Sequence, residues 1–149
     1  MRTYRDPTQL DLGAYLRRGD RIVWGQACGE PTTLIETLIA QAQRIGDLSA
    51  FTATSFSGLL TPANVEHFSL ASMGAIGALR SLSAANRLGI VPCHVGSIGA
   101  MIEAGLIGCD VAFVQLSPAD ADGYHSLGLI SDHVQQMVAK ARVVIAEIN

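Results

Sequence analysis

The run Val111-Ala112-Phe113-Val114 constrains the fold of this chain more than any other stretch. Consecutive apolar residues, β-branched at both ends, suit a strand covered on both faces, the environment of a parallel sheet. The strand ends at Ser117-Pro118, since proline offers no N–H to a sheet ladder. A loop of Asp, Gly, Tyr, His and Ser follows as far as Gly128. Polar loops outside the carboxyl ends of strands are where open α/β sheets take their ligands.

Strand and helix signals alternate along the rest of the chain. Leu10–Leu16 reads as a short helix closed by Arg18-Gly19-Asp20, and Arg21–Gly25 as a strand. Pro31 fits the first turn of a helix. Thr32–Arg44 then carries apolar residues at 34, 35, 38, 39, 42 and 45, a helical stripe that Gly46 closes. Strands are expected at Leu48–Thr54, at His67–Ser72 and briefly at Ile90-Val91, where Pro92 stops the ladder. Helices are expected over Ile76–Arg87, Ser97–Ala104 and Asp132–Lys140. Ser131 would be the N-cap of the last of these, and Asp132 would face its dipole. Arg142–Ile148 is a final strand. Such alternation predicts an α/β fold: an open, mostly parallel sheet with helices on both faces and right-handed crossovers. At 149 residues the chain, 1–149, is one domain.

Composition adds an expectation about partners. Apolar residues make up 49% and charged ones only 15%, against about 25% in ordinary soluble domains. The last strand has no helix after it to cover it. Both features call for a partner surface: another domain, another subunit or a second copy. No stretch reaches the roughly 18 apolar residues of a membrane span, and Met1–Asp6 lacks the apolar core of a signal peptide. Cys28, Cys93 and Cys109 are odd in number and lack metal-ligand spacing, which predicts reduced thiols, a cytoplasmic location and no metal site. A net charge of −3, with no basic cluster beyond Arg17-Arg18, speaks against a nucleic-acid partner.

Candidate site residues fall in the turns after strands. Gly25, Gln26, Gly29, Glu30 and Pro31 lie between a strand and a helix, where backbone N–H groups can cradle an anion; a plain tight turn is the alternative. Ser55 and Ser57, in Ser55-Phe56-Ser57-Gly58, close another strand, and only a faint nucleophile-elbow pattern is present. His94 follows Pro92-Cys93 and can serve as a general base or oxyanion donor, against the alternative of a buried structural histidine. Adjacent strand residues face opposite ways, which rules out a Cys93–His94 pair. In the loop after Val111–Leu116, Ser117, Asp120, Gly123, His125, Ser126 and Gly128 are the candidates; Asp120 and Asp122 also fit as turn formers. His67 and His133 read as structural or surface residues. Of the glutamates, only Glu30 falls in a candidate loop.

Taken together, Arg21–Pro31, Pro92-Cys93-His94 and Asp110–Gly128 resemble the N-terminal domain of the acetyl-CoA hydrolase/transferase family, which includes 4-hydroxybutyrate CoA-transferases. The resemblance runs from about Asp20 to Asn149 and implies an open α/β domain that packs against a second, similar domain. In that family a glutamate carboxylate attacks the acyl-CoA thioester, giving an acyl anhydride and then a glutamyl-CoA thioester. The nucleophile lies in the C-terminal domain, and no stretch here matches its surroundings. The resemblance therefore implies part of an acyl-CoA:carboxylate CoA-transferase or acyl-CoA hydrolase. The turn Gly25–Pro31, the strand end Ser55–Gly58, His94 and the loop Ser117–Gly128 would form one wall of its cleft. The coenzyme A thioester and a small carboxylate are substrates, with no permanently bound cofactor. Two alternatives stand beside this: a stand-alone enzyme using His94 or His125 as acid–base catalyst, and a non-catalytic acyl-CoA-binding or scaffold module.

Overall fold

A computed structural model describes residues 2–149. Strands β1 (Arg21–Trp24), β2 (Leu48–Phe51), β3 (Phe68–Ser72), β4 (Leu88–Ile90), β5 (Val111–Leu116) and β6 (Val143–Ile148) form one sheet in the order β4-β3-β2-β1-β5-β6. Every neighbouring pair is parallel. The open parallel sheet with helices on both faces is therefore present, and parallel throughout rather than mostly so.

Strand β5 is buried on both sides, as its unbroken apolar run requires. Val111 and Phe113 join the cluster of Ile22, Trp24 and Leu70 on one face; Ala112 and Val114 join Val23, Ile98, Ile102 and Met137 on the other. Helix α1 (Thr32–Ile45) covers the first face with Leu34, Ile35, Leu38 and Ala42, aided by Leu79 and Leu82 from the segment around α2 (Arg80–Ala84). Helices α3 (Ile98–Glu103) and α4 (Val134–Lys140) cover the second. Gly46 ends α1 with φ +75° and its N–H on Ala42 O. A glycine adopts that conformation without the Cβ clash that other residues meet.

Several local expectations are corrected. Leu10–Leu16 is not one helix: it holds a single 3₁₀ turn, Leu12–Ala14, and another, Pro7–Gln9, precedes it. Asp6 and Asp11 each accept the backbone N–H two residues on, at 2.9 Å, and such short side-chain bonds compete with helix propagation. The helix expected over Ile76–Arg87 shrinks to Arg80–Ala84. Gly77, at φ +60°, instead bridges to Ser55, a long-range contact that holds the start of the segment out of a helix. Strand β2 ends at Phe51, and β4 covers Leu88–Ile90 rather than Ile90-Val91. Helix α4 begins at Val134, so Ser131 is not its N-cap. Asp132 stands outside it at φ +28°, turned from the dipole toward the loop after β1.

Ion pairs tie the amino ends of the strands together. Arg21 makes two bonds to Asp110, Nε at 2.7 Å and an Nη at 3.0 Å, and Arg142 reaches Asp20 at 2.6 Å. The Arg21 guanidinium holds the Asp110 carboxyl below the usual carboxylate range. Charges gathered at this end leave the opposite, carboxyl end of the sheet to the candidate loops.

Candidate functional site

The chain runs from β1 outward to β2, β3 and β4, then crosses back to place β5 on the other side of β1. That reversal puts the topological switch point at the carboxyl ends of β1 and β5, the position where open α/β sheets bind ligands. Three candidate segments follow strands at that end of the sheet: the turn Gly25–Pro31 after β1, Ser55–Gly58 after β2, and Ser117–Gly128 after β5.

The first turn packs tightly on itself. A Cβ on Gly25 would stand 2.7 Å from Gly29 O, so only glycine fits there without a backbone shift. Three of its N–H groups are engaged: Ala27 N donates to Thr54 O at 3.0 Å, Gly29 N to Gln26 O at 2.8 Å and Glu30 N to Ala27 O at 3.3 Å. The first turn of α1 is engaged too. Glu147 on β6 accepts from Thr33 N at 2.8 Å and Leu34 N at 3.3 Å. The first N–H groups of α1 are thus met by the chain's own carboxylate, a side chain on β6 that satisfies orphan donors of the helix. Glu147 lies 114 residues from Thr33 in sequence, and no local pattern marks it as a cap.

Glu30 is buried, its Oε2 receiving Phe56 N at 2.9 Å and Ser57 N at 3.0 Å. Ser55 is also buried, with no partner for its hydroxyl among the described residues. Ser57 is exposed and donates weakly to Glu30 Oε1, at 3.4 Å.

The loop after β5 closes on itself. Ser117 N donates to Ser126 O at 3.0 Å, and Ser126 N to Ser117 Oγ at 2.9 Å. Asp120 accepts from Asp122 N and Tyr124 N at 3.0 and 2.8 Å, the turn-forming role open to it from sequence. Gly123 makes the tip at φ +85°. His125 Nδ1 lies 2.8 Å from Ser117 O. A carbonyl only accepts, so Nδ1 is the donor in this bond; the tautomer with that proton alone keeps its lone pair on Nε2, at an exposed position. Gly128 N bonds to Ser126 Oγ at 3.1 Å. Beyond it the chain returns over the first turn, where Asp132 accepts the Gln26 amide at 2.5 Å.

His94 stands apart. It follows β4 at the far edge of the sheet, four strand spacings from β5, or about 19 Å at strand level. It is exposed, so the buried structural alternative does not hold. The sheet order does not bring it beside His125.

His133 is the histidine that sequence reasoning undervalued. It is 2% exposed at the start of α4, and neither ring nitrogen meets a partner at hydrogen-bond geometry. Burial pushes it below the usual histidine range, with the Trp24 backbone and Asp132 offsetting part of that. A folded value below the unfolded one, near 6.5, means its contribution to stability is present above about pH 6.5 and is lost as the pH falls toward the folded value. The expected outcome is a Tm that declines from pH 7 to 5.5, with a shallower decline in His133→Phe; parallel curves for the two proteins would refute it.

Among the described residues no three His, Cys, Asp or Glu side chains gather to hold a metal, and no helix is long and apolar enough to cross a membrane. Cys109 is buried, and that burial pushes its thiol up to about 12, the range of an inert core cysteine.

An all-parallel sheet with a topological switch point between β1 and β5 defines a domain of the open α/β class. Within that class, the chain belongs to the acetyl-CoA hydrolase/transferase N-terminal domain family, whose sequence profile matches residues 8–149. It is 28% identical over 131 residues to a 4-hydroxybutyrate coenzyme A transferase of Clostridium kluyveri, covering 87% of this chain and 30% of that protein. The fold matches RipA from Yersinia pestis with a TM-score of 0.83 at 25% identity, over 92% of this chain and 35% of RipA. It also matches a 4-hydroxybutyrate CoA-transferase from Porphyromonas gingivalis, with a TM-score of 0.67 at 22% identity, over 91% of this chain and 30% of that one. The chain spans about a third of the length of these relatives.

Proposed function

We propose that this chain forms one wall of the acyl-CoA cleft of an acyl-CoA:carboxylate CoA-transferase or acyl-CoA hydrolase, and that the attacking glutamate comes from another domain or chain. The supporting observation is the placement of its own glutamates. Glu30 and Glu147 are the ones near the carboxyl ends of the strands, and both carboxylates are bound to backbone N–H groups. Glu66 precedes β3 and Glu103 ends α3, both toward the amino ends, while Glu36 points outward from α1. Among the described residues, the glutamates at the carboxyl ends of the strands thus have their carboxylates engaged by backbone donors.

The surroundings fit the same reading. Phe56, Tyr124 and Leu129, on the loops after β2 and β5, are 65%, 74% and 90% exposed. Large apolar side chains left in water beside polar loops mark a surface that a partner or an acyl-CoA covers. The substrates on this reading are a coenzyme A thioester and a small carboxylate. The loops Gly25–Pro31, Ser55–Gly58 and Ser117–Gly128 contribute shape and hydrogen bonds, and the partner domain contributes covalent catalysis.

The deciding experiment incubates the chain with acetyl-CoA and an acceptor carboxylate, with borohydride to trap a glutamyl thioester. Binding without turnover by the chain alone, with turnover and trapping once a glutamate-bearing partner is added, is expected. A thioester trapped on this chain alone would overturn the proposal. A second reading rests on His125, whose Nδ1 bond to Ser117 O leaves Nε2 as an exposed base. It predicts turnover by the chain alone that His125→Ala abolishes.

A further inference from the structure

Glu30 sits in a candidate substrate loop, yet its carboxylate faces inward, with the residue 3% exposed. Phe56 N and Ser57 N converge on Oε2 at 2.9 and 3.0 Å, and the Ser57 hydroxyl reaches Oε1 at 3.4 Å. The same residue is held from the other side, where the Gln115 amide of β5 donates to Glu30 O at 3.4 Å. One residue thus links the turn after β1, the turn after β2 and strand β5.

The turn after β2 is also gripped on its far flank. Ser55 bridges to Gly77, and Ala78 N donates to Ser55 O at 3.3 Å. Between these two holds the chain has little choice but to present Phe56 outward. The Phe56 ring lies beside Gly77, where an added Cβ would stand 3.2 Å from it, while Glu30 holds the backbone N–H groups of Phe56 and Ser57 from the other side.

We propose that Glu30 is a positioning residue of the acyl-CoA wall: its buried carboxylate fixes the Ser55–Gly58 turn, and with it Phe56, against the Gly25–Pro31 turn. The inference rests on the functional reading above and refines it, since Glu30 then touches no substrate. What the role needs is reach, not charge. Glutamine has the same length and keeps an oxygen for the two N–H groups, with an amide group to meet the Ser57 hydroxyl. Aspartate keeps the charge but is one methylene short. Alanine removes the contact altogether.

The test compares acetyl-CoA affinity by titration calorimetry, and amide exchange at Phe56 and Ser57, for the unaltered chain, Glu30→Gln, Glu30→Asp and Glu30→Ala. Expected are near-native affinity and slow exchange in Glu30→Gln, within about threefold. Faster exchange and about tenfold weaker binding are expected in Glu30→Asp, and more in Glu30→Ala, as for lost hydrogen bonds to the two N–H groups. The affinity of Glu30→Gln should follow pH as the unaltered chain does. If Glu30→Ala does not fold, the order of the glutamine and aspartate variants decides. Glu30→Asp binding better than Glu30→Gln overturns the proposal, because charge would then matter more than reach. Native affinity in Glu30→Asp with fast exchange at Phe56 and Ser57 overturns it as well. Failure of the unaltered chain to bind acetyl-CoA counts against the functional reading instead, and amide exchange still shows whether Glu30 holds the turn.

Discussion

Phe113→Ala is expected to lower the free energy of unfolding by about 3–5 kcal/mol, the cost of emptying a buried aromatic site. The ring is 0% exposed on β5, between Trp24 of β1 and Ile145 of β6 in register. Central strands leave neighbours little room to collapse into the vacancy, since both are themselves held by sheet bonds. For a domain of this size the shift in Tm should be roughly 10 °C. Chemical denaturation of the two proteins checks it, and a loss under about 1 kcal/mol would show that the ring is not part of the packed layer.

Gly25→Ala comes second in expected size and bears more directly on the site. The added Cβ would meet Gly29 O at 2.7 Å, a backbone atom that cannot rotate away. Relief requires the Gly25–Pro31 turn to open, at about 1–3 kcal/mol, as for overpacking elsewhere. Opening the turn also moves Glu30 and Gln26, and so disturbs their bonds to Phe56, Ser57 and Asp132. Acetyl-CoA affinity should therefore fall together with stability. Gly96→Ala, which meets nothing within 4 Å, is the matched control and should be neutral in both measurements. A Gly25→Ala chain as stable as the control would show that the turn is loose.

The two variants differ in what made them foreseeable. Phe113 lies in an apolar run whose burial on two faces can be read directly from residue types. Gly25 is one glycine among 15, and its backbone is not in the left-handed region. Only the approach of Gly29 O makes a side chain impossible there. The same contrast separates Gly123, whose place at a loop tip among Asp and Tyr is a local signal, from Glu147, whose helix cap acts across 114 residues.

Errors in the element boundaries have the same origin. The helix expected over Ile76–Arg87 has adequate local propensity, but the bridge from Gly77 to Ser55 draws its first turn to the neighbouring strand end. Asp132 is a sound first-turn residue by charge, yet it bonds to Gln26 instead. In both places a contact distant in sequence outweighed a preference worth a fraction of a kcal/mol per residue.

By itself, the sequence determined that the chain builds a parallel α/β sheet, which loops follow its strands, and the family to which those loops belong. Period and residue type carry that information, because burial on one or two faces is a property of each strand and helix alone. Only the tertiary structure decided that Glu30 and Glu147 turn inward to backbone N–H groups, that His94 and His125 follow strands four spacings apart, and that His133 is buried. Strand order sets which loop ends meet, and a carboxylate that finds two backbone donors there is held by them whatever its neighbours in sequence.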